Sequence, residues 1–175
     1  MSQLAVLERE PERVTSVDRI SLRNALGCFA TGVAIVTTRG DGDAPVGLTV
    51  SSFNSVSLDP PLVLWSIANT APSLGAFRGR DSFAINILAE DQLDLCQRFS
   101  RPSETKFAGV EFLNGYDDVP LLTGAAARFE CRTYARYPGG DHEIYLGEVV
   151  DLYASDKDPL VFHKGQFAKL GQFDQ

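Results

Sequence analysis

The amino-acid sequence predicts a mainly β fold, a Greek-key barrel with a few short flanking helices. Most apolar runs are short and rich in β-branched residues, Gly- or Pro-containing turns separate them, and helical periodicity is confined to brief stretches. A doubly wound parallel sheet would need long helices between its strands. The sequence has no internal repeat and no low-complexity segment. The strands and turns therefore favour the barrel.

The first element expected along the chain is a short helix, for which Ser16 or Asp18 is a suitable N-cap. Its apolar residues are Ile20, Leu22, Ala25, Leu26 and Phe29. Strands are predicted at 33–38, 46–50, 53–57, 62–67, 82–88, 127–137, 143–153 and 160–162. Two more short helices are predicted at 71–77 and 90–99.

A long connection follows the last predicted helix. Residues 100–124 contain two Pro, three Gly and several charged side chains. Structureless loops of this length are uncommon in compact domains unless they serve a function. The composition therefore predicts a functional loop.

Length and composition bound the organisation of the chain. With 175 residues, of which 44% are hydrophobic, the sequence is sufficient for one sizeable core. Residues 1–15 are polar, mixed in charge and interrupted by Pro11, which predicts a flexible tail. The predicted domain covers 16–175. No stretch offers the ~20 apolar residues that a membrane-spanning helix needs, so we expect no membrane partner.

The charge balance and the cysteines exclude several classes of partner. The 16 basic and 23 acidic residues give a formal net charge of -7, which argues against nucleic acid as a ligand. Cys28, Cys96 and Cys131 are odd in number and form no Cys-x-x-Cys pair. Neither a disulfide framework nor a thiolate metal site is indicated, so we expect a cytoplasmic protein without metal.

The segment at 46–67, VGLTVSSFNSVSLDPPLVLWSI, holds the most informative pattern. An apolar strand breaks into a hydroxyl-rich cluster with Thr49, Ser51 and Ser52 before the chain returns to an apolar strand. Hydroxyls and free amides at this point can bind an anionic or strongly polar ligand. The alternative is that these hydroxyls only satisfy hydrogen bonds at the strand ends.

Common catalytic motifs are absent from the sequence. It has no phosphate-binding Gly-rich loop with Lys, no Gly-x-Gly-x-x-Gly, no Gly-x-Ser-x-Gly and no His-Glu-x-x-His. The two histidines, His142 and His163, lie far apart in the sequence without an evident carboxylate partner. We expect His163 to be a surface residue near a C-terminal strand. A chain with so few acid and base groups is typical of proteins whose cofactor carries the chemistry.

Six segments together resemble a known family. They are 26–38, 47–53, 59–63, 83–88, the Lys106-Phe107 pair, and Gly140-Asp141-His142. From about residue 20 to 170 the chain resembles the short-chain flavin reductases of the FMN-binding split-barrel superfamily. These are small NAD(P)H-dependent partners of two-component flavin monooxygenases. The resemblance implies a split β-barrel that forms a homodimer with flavin at or near the subunit interface.

The resemblance also implies which residues bind the nucleotides. The flavin contacts would be Thr31, Gly32, Val33, Ala34, Thr49, Val50, Ser51, Ser52, Ala68, Asn69, Ser73, Arg101, Lys106 and Phe107. The nicotinamide contacts would be Gly140, Asp141 and His142. Simpler interpretations remain open: Ser73 as a helix cap, Arg101 and Lys106 as solvated loop cations, and Gly140-Asp141 as part of a hairpin turn.

The implied reaction is hydride transfer from NADH or NADPH to FMN or FAD, with the reduced flavin passed to a separate monooxygenase. Two alternatives remain open. One is a flavoprotein that retains its flavin and reduces a metal centre such as a corrin cobalt. The other is a non-enzymatic flavin-binding redox module.

Overall fold

The computed structural model describes residues 17–171, which form a mainly antiparallel β structure with three short helices. The helices are α1 (Arg19–Leu26), α2 (Leu74–Arg78) and α3 (Leu93–Phe99). The strands are β1 (Thr31–Gly32), β2 (Ala34–Arg39), β3 (Pro45–Val50), β4 (Asn54–Leu58), β5 (Pro61–Ala68), β6 (Ser82–Ile87), β7 (Phe112–Asn114), β8 (Pro120–Leu122), β9 (Ala127–Gly139), β10 (His142–Ala154), β11 (Val161–His163) and β12 (Gln166–Ala168). The prediction of a mainly β fold is confirmed.

Seven strands form one antiparallel sheet in the order β3-β2-β6-β9-β10-β5-β4. Its two edge strands, β3 and β4, follow each other in the sequence and are joined only by residues 51–53. Four Cα–Cα steps cover at most about 15 Å. The edges of a flat seven-stranded sheet would be about 29 Å apart, at about 4.8 Å per strand. The sheet must therefore curl until its edges approach each other, as in a barrel.

The barrel interior is filled by aromatic side chains. Trp65 on β5 is fully buried and stacks on Tyr145 of β10, with ring centroids 4.9 Å apart. Phe77 of α2 and Phe83 of β6 meet the Trp65 ring edge-on at 4.9 and 5.7 Å. These contacts confirm that Trp65 belongs to the core. Burial of such large rings is the main stabilising contribution here.

The predicted elements largely agree with the structure, with differences at their ends. Asp18 caps α1 by accepting hydrogen bonds from the amides of Ile20 and Ser21, at 2.9 and 3.0 Å. The helices predicted at 71–77 and 90–99 are shorter, because 71–73 and 90–92 form turns before α2 and α3. The short strands β1, β7, β8 and β12 were not predicted. The predicted tail at 1–15 and the Ser16 cap lie outside the described residues.

Helix α1 lies on the surface with its apolar side chains exposed. None of its residues is buried, and Ile20 and Leu26 are 71% and 65% exposed. Val17 before the helix and Phe29 after it are 72% and 71% exposed. An eight-residue helix gains little stability alone and depends on packing of its apolar face.

The long connection at 100–124 contains a hairpin of β7 and β8 that a polar network holds against the barrel. The Asn86 amide of β6 donates to the Ile35 carbonyl at 3.0 Å and to the Thr37 hydroxyl at 3.1 Å. Its oxygen accepts from the Leu122 amide of β8 at 2.8 Å. The Thr37 hydroxyl donates to the Pro120 carbonyl at 2.5 Å. Because Asn86 and Thr37 are fully buried, this network fixes the hairpin's position.

We expect the substitution Asn86→Ala to lower the free energy of unfolding by about 2–4 kcal/mol, because it removes the side-chain bonds of the buried network and leaves the Leu122 amide without a partner. Chemical denaturation followed by circular dichroism measures this change. The matched control is Asn114→Ala, which removes one exposed contact to Arg39 and should cost less than about 1 kcal/mol. Equal losses in both variants would contradict the role of the buried network.

Candidate functional site: a groove and an adjoining pocket

The surface of the described residues contains a groove of about 940 Å³. Its walls come from β3, the turn before α2, the end of α3 and the following loop. The lining residues are Ala44, Pro45, Val46, Gly47, Leu48, Thr49, Ala71, Pro72, Ser73, Phe99, Ser100, Arg101, Pro102, Ser103, Glu104, Thr105, Lys106, Phe107 and Ala108. Five predicted cofactor residues, Thr49, Ser73, Arg101, Lys106 and Phe107, are thus brought together from three separate segments.

Aromatic rings give the groove its apolar wall. Phe107 meets Phe99 edge-on, with ring centroids 4.9 Å apart, and Phe112 lies behind it at 5.5 Å. Gly47 on β3 lies against Phe99, and a Cβ at Gly47 would come within 2.9 Å of that ring. The glycine is therefore required for the close approach of strand and ring.

Lys106 is a partly buried cation in the groove. Its ammonium group donates to the carbonyls of Gly47 at 3.1 Å and Phe99 at 3.0 Å. Burial lowers the pKa of Lys106 from its usual value. Lys106 thus ties the loop to β3, and one of its three N–H donors remains for a ligand. Arg101 beside it is exposed. The interpretation of Lys106 as a merely solvated cation is therefore wrong.

The hydroxyl cluster has mixed roles. The Thr49 hydroxyl donates to the Cys96 carbonyl at 2.8 Å, which joins β3 to α3. The Ser52 hydroxyl donates to the Ser66 carbonyl at 3.1 Å and accepts from the Ser66 amide at 3.0 Å. Both hydroxyl protons are therefore used within the protein, as the simpler interpretation of the sequence expects.

Ser51 is exposed and lies between β3 and β4, where the chain leaves the strand ladders. The amides of Ser51 and Ser52 are thus not part of a ladder and can face a ligand. These two residues and Val50 follow Thr49 directly but do not line the groove itself. Val50 packs in the core.

The predicted contacts at 31–34 divide into surface and core. Thr31 and Gly32 form β1, and Gly32 is exposed. Val33 and Ala34 are only 3% and 2% exposed. The Val33 amide donates to Leu160 and its carbonyl accepts from Leu88, so both backbone groups are already paired. Val33 and Ala34 therefore support the barrel wall and offer little surface to a cofactor.

Asn69 and the turn at Gly140-Asp141 contact each other directly. The Asn69 side-chain amide donates to the Gly140 carbonyl at 3.1 Å, and the Asn69 backbone N–H donates to the Asp141 carbonyl at 2.9 Å. Ala68 pairs with His142 across β5 and β10. Gly140 has φ +73°, a conformation that favours glycine in this β9–β10 hairpin turn. The turn interpretation is confirmed, and the predicted nicotinamide segment sits beside Asn69.

The His142 side chain is held by its neighbour. Its Nδ1 lies 2.7 Å from the Asp141 carboxylate, and this hydrogen bond lowers the pKa of Asp141. The pairing leaves His142 Nε2 free for a ligand. The other histidine, His163, is half-buried on β11. It lies outside both the groove and the pocket described next.

A second concavity of about 460 Å³, here called the arginine pocket, adjoins this hairpin. It is lined by Asn69, Arg78, Arg136, Tyr137, Pro138, His142 and Glu143. Asn69 lines the pocket and Ala71 lines the groove, so these Cα atoms are at most about 7.6 Å apart. Two neighbouring cavities thus share the segment at 69–71.

Ser73 occupies the N-cap position of α2 but makes no capping hydrogen bond through its side chain. Its interpretation as a helix cap through the hydroxyl is therefore wrong. Ser73 lines the groove instead, as Lys106 does.

Several lining residues were not anticipated from the sequence. Gly47 carried a signal, because a glycine inside a strand often marks a close approach of another group. Arg78, Arg136 and Glu143 carried none, because they lie on three elements separated by up to 65 residues and meet only in the folded chain.

Among residues 17–171 there is no group of three or more His, Cys, Asp or Glu side chains arranged for a metal ion. That same stretch contains no helix long and apolar enough to cross a lipid bilayer.

The groove, with neutral donors, one buried cation and aromatic walls beside a second pocket, is the kind of site that a nucleotide cofactor requires. Comparison with known proteins identifies the class. The model of the flavin reductase like domain matches residues 26–171. The chain belongs to this family.

Relatives with described activities cover most of the chain. It is 45% identical over 152 residues to FMN reductase (NADH) SmoA of Agrobacterium fabrum, covering 87% of this chain and 86% of that protein. It is 42% identical to the reductase component of the flavin-dependent trigonelline monooxygenase of Acinetobacter baylyi, covering 83% of this chain but 47% of that protein. This chain thus spans about half the length of that component.

A solved structure agrees with the fold. The NADH:FAD oxidoreductase SgcE6 of Streptomyces globisporus, in complex with NAD and FAD fragments, superposes with a TM-score of 0.83. The two are 36% identical, and the match covers 88% of this chain and 93% of the other.

Proposed function

We propose that this chain is an NAD(P)H-dependent flavin reductase that transfers hydride from a reduced nicotinamide to FMN or FAD. The observation that carries the proposal is the groove itself. It gathers Thr49, Ser73, Arg101, Lys106 and Phe107 beside the pocket that contains His142. Each relative described above is named as a reductase or oxidoreductase, which supports the same class of reaction.

The residues of the groove fit a flavin nucleotide. Leu48 and Phe107, which packs against the buried ring of Phe99, offer apolar surface for a planar ring system, and Arg101 with the remaining Lys106 donor offers positive charge for a phosphate. The free amides of Ser51 and Ser52 can add neutral donors. A bound flavin supplies the electron-accepting chemistry, so the protein needs no nucleophile of its own.

The protein's contribution to the reaction is positioning. The hydrogen bonds from Asn69, which lines the second cavity, hold the Gly140-Asp141 turn, and Asp141 orients the His142 ring. His142 would contact the pyridine nucleotide through its free Nε2. Correct orientation of two reactants can account for much of the rate of such a step.

The proposed acceptor of the reduced flavin is a separate monooxygenase, in accordance with the printed name of the Acinetobacter relative. A cytoplasmic location is part of the proposal. It is supported by the three cysteines, Cys28, Cys96 and Cys131, all of which are unpaired.

The direct test mixes the purified chain with NADH or NADPH and with FMN or FAD in turn, and follows absorbance at 340 nm. We expect oxidation of the nicotinamide that depends on added flavin. Gel filtration of the flavin-loaded protein then distinguishes a flavin that is released as a substrate from one that is retained. Binding of flavin without any oxidation of NADH or NADPH would leave only a non-enzymatic flavin module.

The substitution His142→Ala should weaken the use of NADH more than the binding of flavin, because His142 belongs to the nicotinamide side of the site. Stopped-flow reduction of bound flavin measures the first effect and fluorescence titration the second. We expect a loss of tenfold or more in kcat/KM for NADH, in the range of a lost positioning contact. The matched control is His163→Ala, which should change neither. Unchanged reduction in His142→Ala would remove His142 from the site.

We further propose that the chain works as a homodimer that covers α1. The support is the exposure of Val17, Ile20, Leu26 and Phe29, since an apolar surface of this kind is typical of an interface. Light scattering after gel filtration should give twice the 19.1 kDa of one chain. Ile20→Glu should shift the mass toward the monomer, whereas Leu113→Glu, also at an exposed position, should not. A monomeric wild type would refute the dimer.

A further inference from the structure

The arginine pocket contains an ion pair that the proposed reaction does not use. Arg78, at the end of α2, donates from Nε at 3.0 Å and from Nη2 at 2.6 Å, both to Oε2 of Glu143. Glu143 lies at the start of β10, and its side chain is 14% exposed. Both guanidinium contacts go to one carboxylate oxygen, and the Tyr145 hydroxyl also acts on this carboxylate as a hydrogen-bond donor; with two lone pairs, Oε1 can still accept a further hydrogen bond.

Glu143 is ionised at neutral pH. The hydrogen bond from Arg78 is the largest of the effects that lower the pKa of its carboxyl, and burial opposes it only in part. The pocket therefore presents a carboxylate whose charge is matched by Arg78.

The second guanidinium of the pocket is also engaged. Arg136 donates to the Arg78 carbonyl at 3.1 Å, lies 3.6 Å from the Asp81 carboxylate, and stands over the Tyr145 ring at 5.7 Å from its centroid. Neither arginine is therefore free of acidic partners. A phosphate monoester that approached Arg78 in this pocket would also have to approach the charge of Glu143.

The position of the pocket indicates its ligand. It shares the segment at 69–71 with the groove, and its volume of about 460 Å³ lies in the range of small-ligand sites. The ring of Tyr137 and the face of Pro138 offer apolar surface beside the charged groups. A nucleoside with its ribose hydroxyls toward Glu143 matches this combination of surfaces.

We propose that Glu143 makes the enzyme prefer NADH over NADPH by acting on the adenosine ribose. Its free oxygen accepts a hydrogen bond from the ribose 2′-hydroxyl, and its charge both repels a 2′-phosphate and occupies Arg78, the side chain that would otherwise bind that phosphate. Because Glu143 follows His142 directly, the dinucleotide must bend to meet both residues. This inference rests on the proposed function, since it concerns the same pyridine nucleotide.

The test uses Glu143→Gln, which keeps the size of the side chain but removes its charge and releases Arg78. Binding of 5′-ADP and 2′,5′-ADP is measured by calorimetry, without flavin or turnover. The wild type should bind 2′,5′-ADP no more tightly than 5′-ADP. In the variant we expect the ratio of the two dissociation constants to move about tenfold toward 2′,5′-ADP, and the ratio of kcat/KM for NADPH and NADH to follow.

Two further variants separate this role from a general effect of charge. Glu148→Gln breaks a similar ion pair, in which Arg132 Nη2 lies 2.7 Å from Glu148 Oε2, outside the pocket. It should leave both ratios unchanged. Adding Arg78→Gln to Glu143→Gln should abolish the gain for 2′,5′-ADP, because the released guanidinium is then missing.

The outcomes distinguish this inference from the proposed function. Absence of NADH oxidation in the wild type would refute the proposed reductase activity. The calorimetric binding of the two ADP compounds would then test the role of Glu143 by itself. If the wild type oxidises NADH but Glu143→Gln binds 5′-ADP and 2′,5′-ADP in the same ratio as the wild type, Glu143 does not have the proposed role. Failure of both ADP compounds to bind either protein would show that the pocket does not hold the adenosine end.

Discussion

The fold depends on the short connection between β3 and β4. These strands form opposite edges of the seven-stranded sheet, yet only three residues join them. The covalent reach of so few residues forces the sheet to curl, which creates an interior for Trp65, Tyr145 and Phe83. The same connection contains Ser51 and Ser52, whose amides leave the strand ladders at the point of closure. Closure of the barrel and exposure of polar donors thus have one cause.

The groove is built around this junction by elements from distant parts of the sequence. The Thr49 hydroxyl donates to the Cys96 carbonyl in the middle of α3, and Lys106 binds both β3 and α3 through backbone carbonyls. Thr49 and Lys106, two of the polar residues assigned to cofactor binding, therefore also hold the walls together. A site of this kind is rigid before its ligand arrives, because side chains already held by the protein lose little entropy on binding.

The second cavity follows from the β9–β10 hairpin. Its turn is held by Asn69, while the start of β10 supplies His142 and Glu143 to the cavity and the end of α2 supplies Arg78. Because the segment at 69–71 borders both cavities, two ligands bound there would be neighbours. The family assignment and this adjacency agree with a reaction between a flavin and a pyridine nucleotide.

The sequence by itself determined the mainly β class, most strands, a helix cap at Ser16 or Asp18 and the polar cluster at Thr49–Ser52, because these depend on local periodicity and turn chemistry. The sequence also indicated Lys106 and His142 as binding residues, but only through its resemblance to the flavin reductases. Only the tertiary structure decided that Val33 and Ala34 are buried, that the hydroxyls of Thr49 and Ser52 are already bonded, and that β7 and β8 pair within the long connection. The meeting of Arg78, Arg136 and Glu143 was likewise decided there, since contacts between residues more than 50 positions apart leave no periodic trace in a sequence.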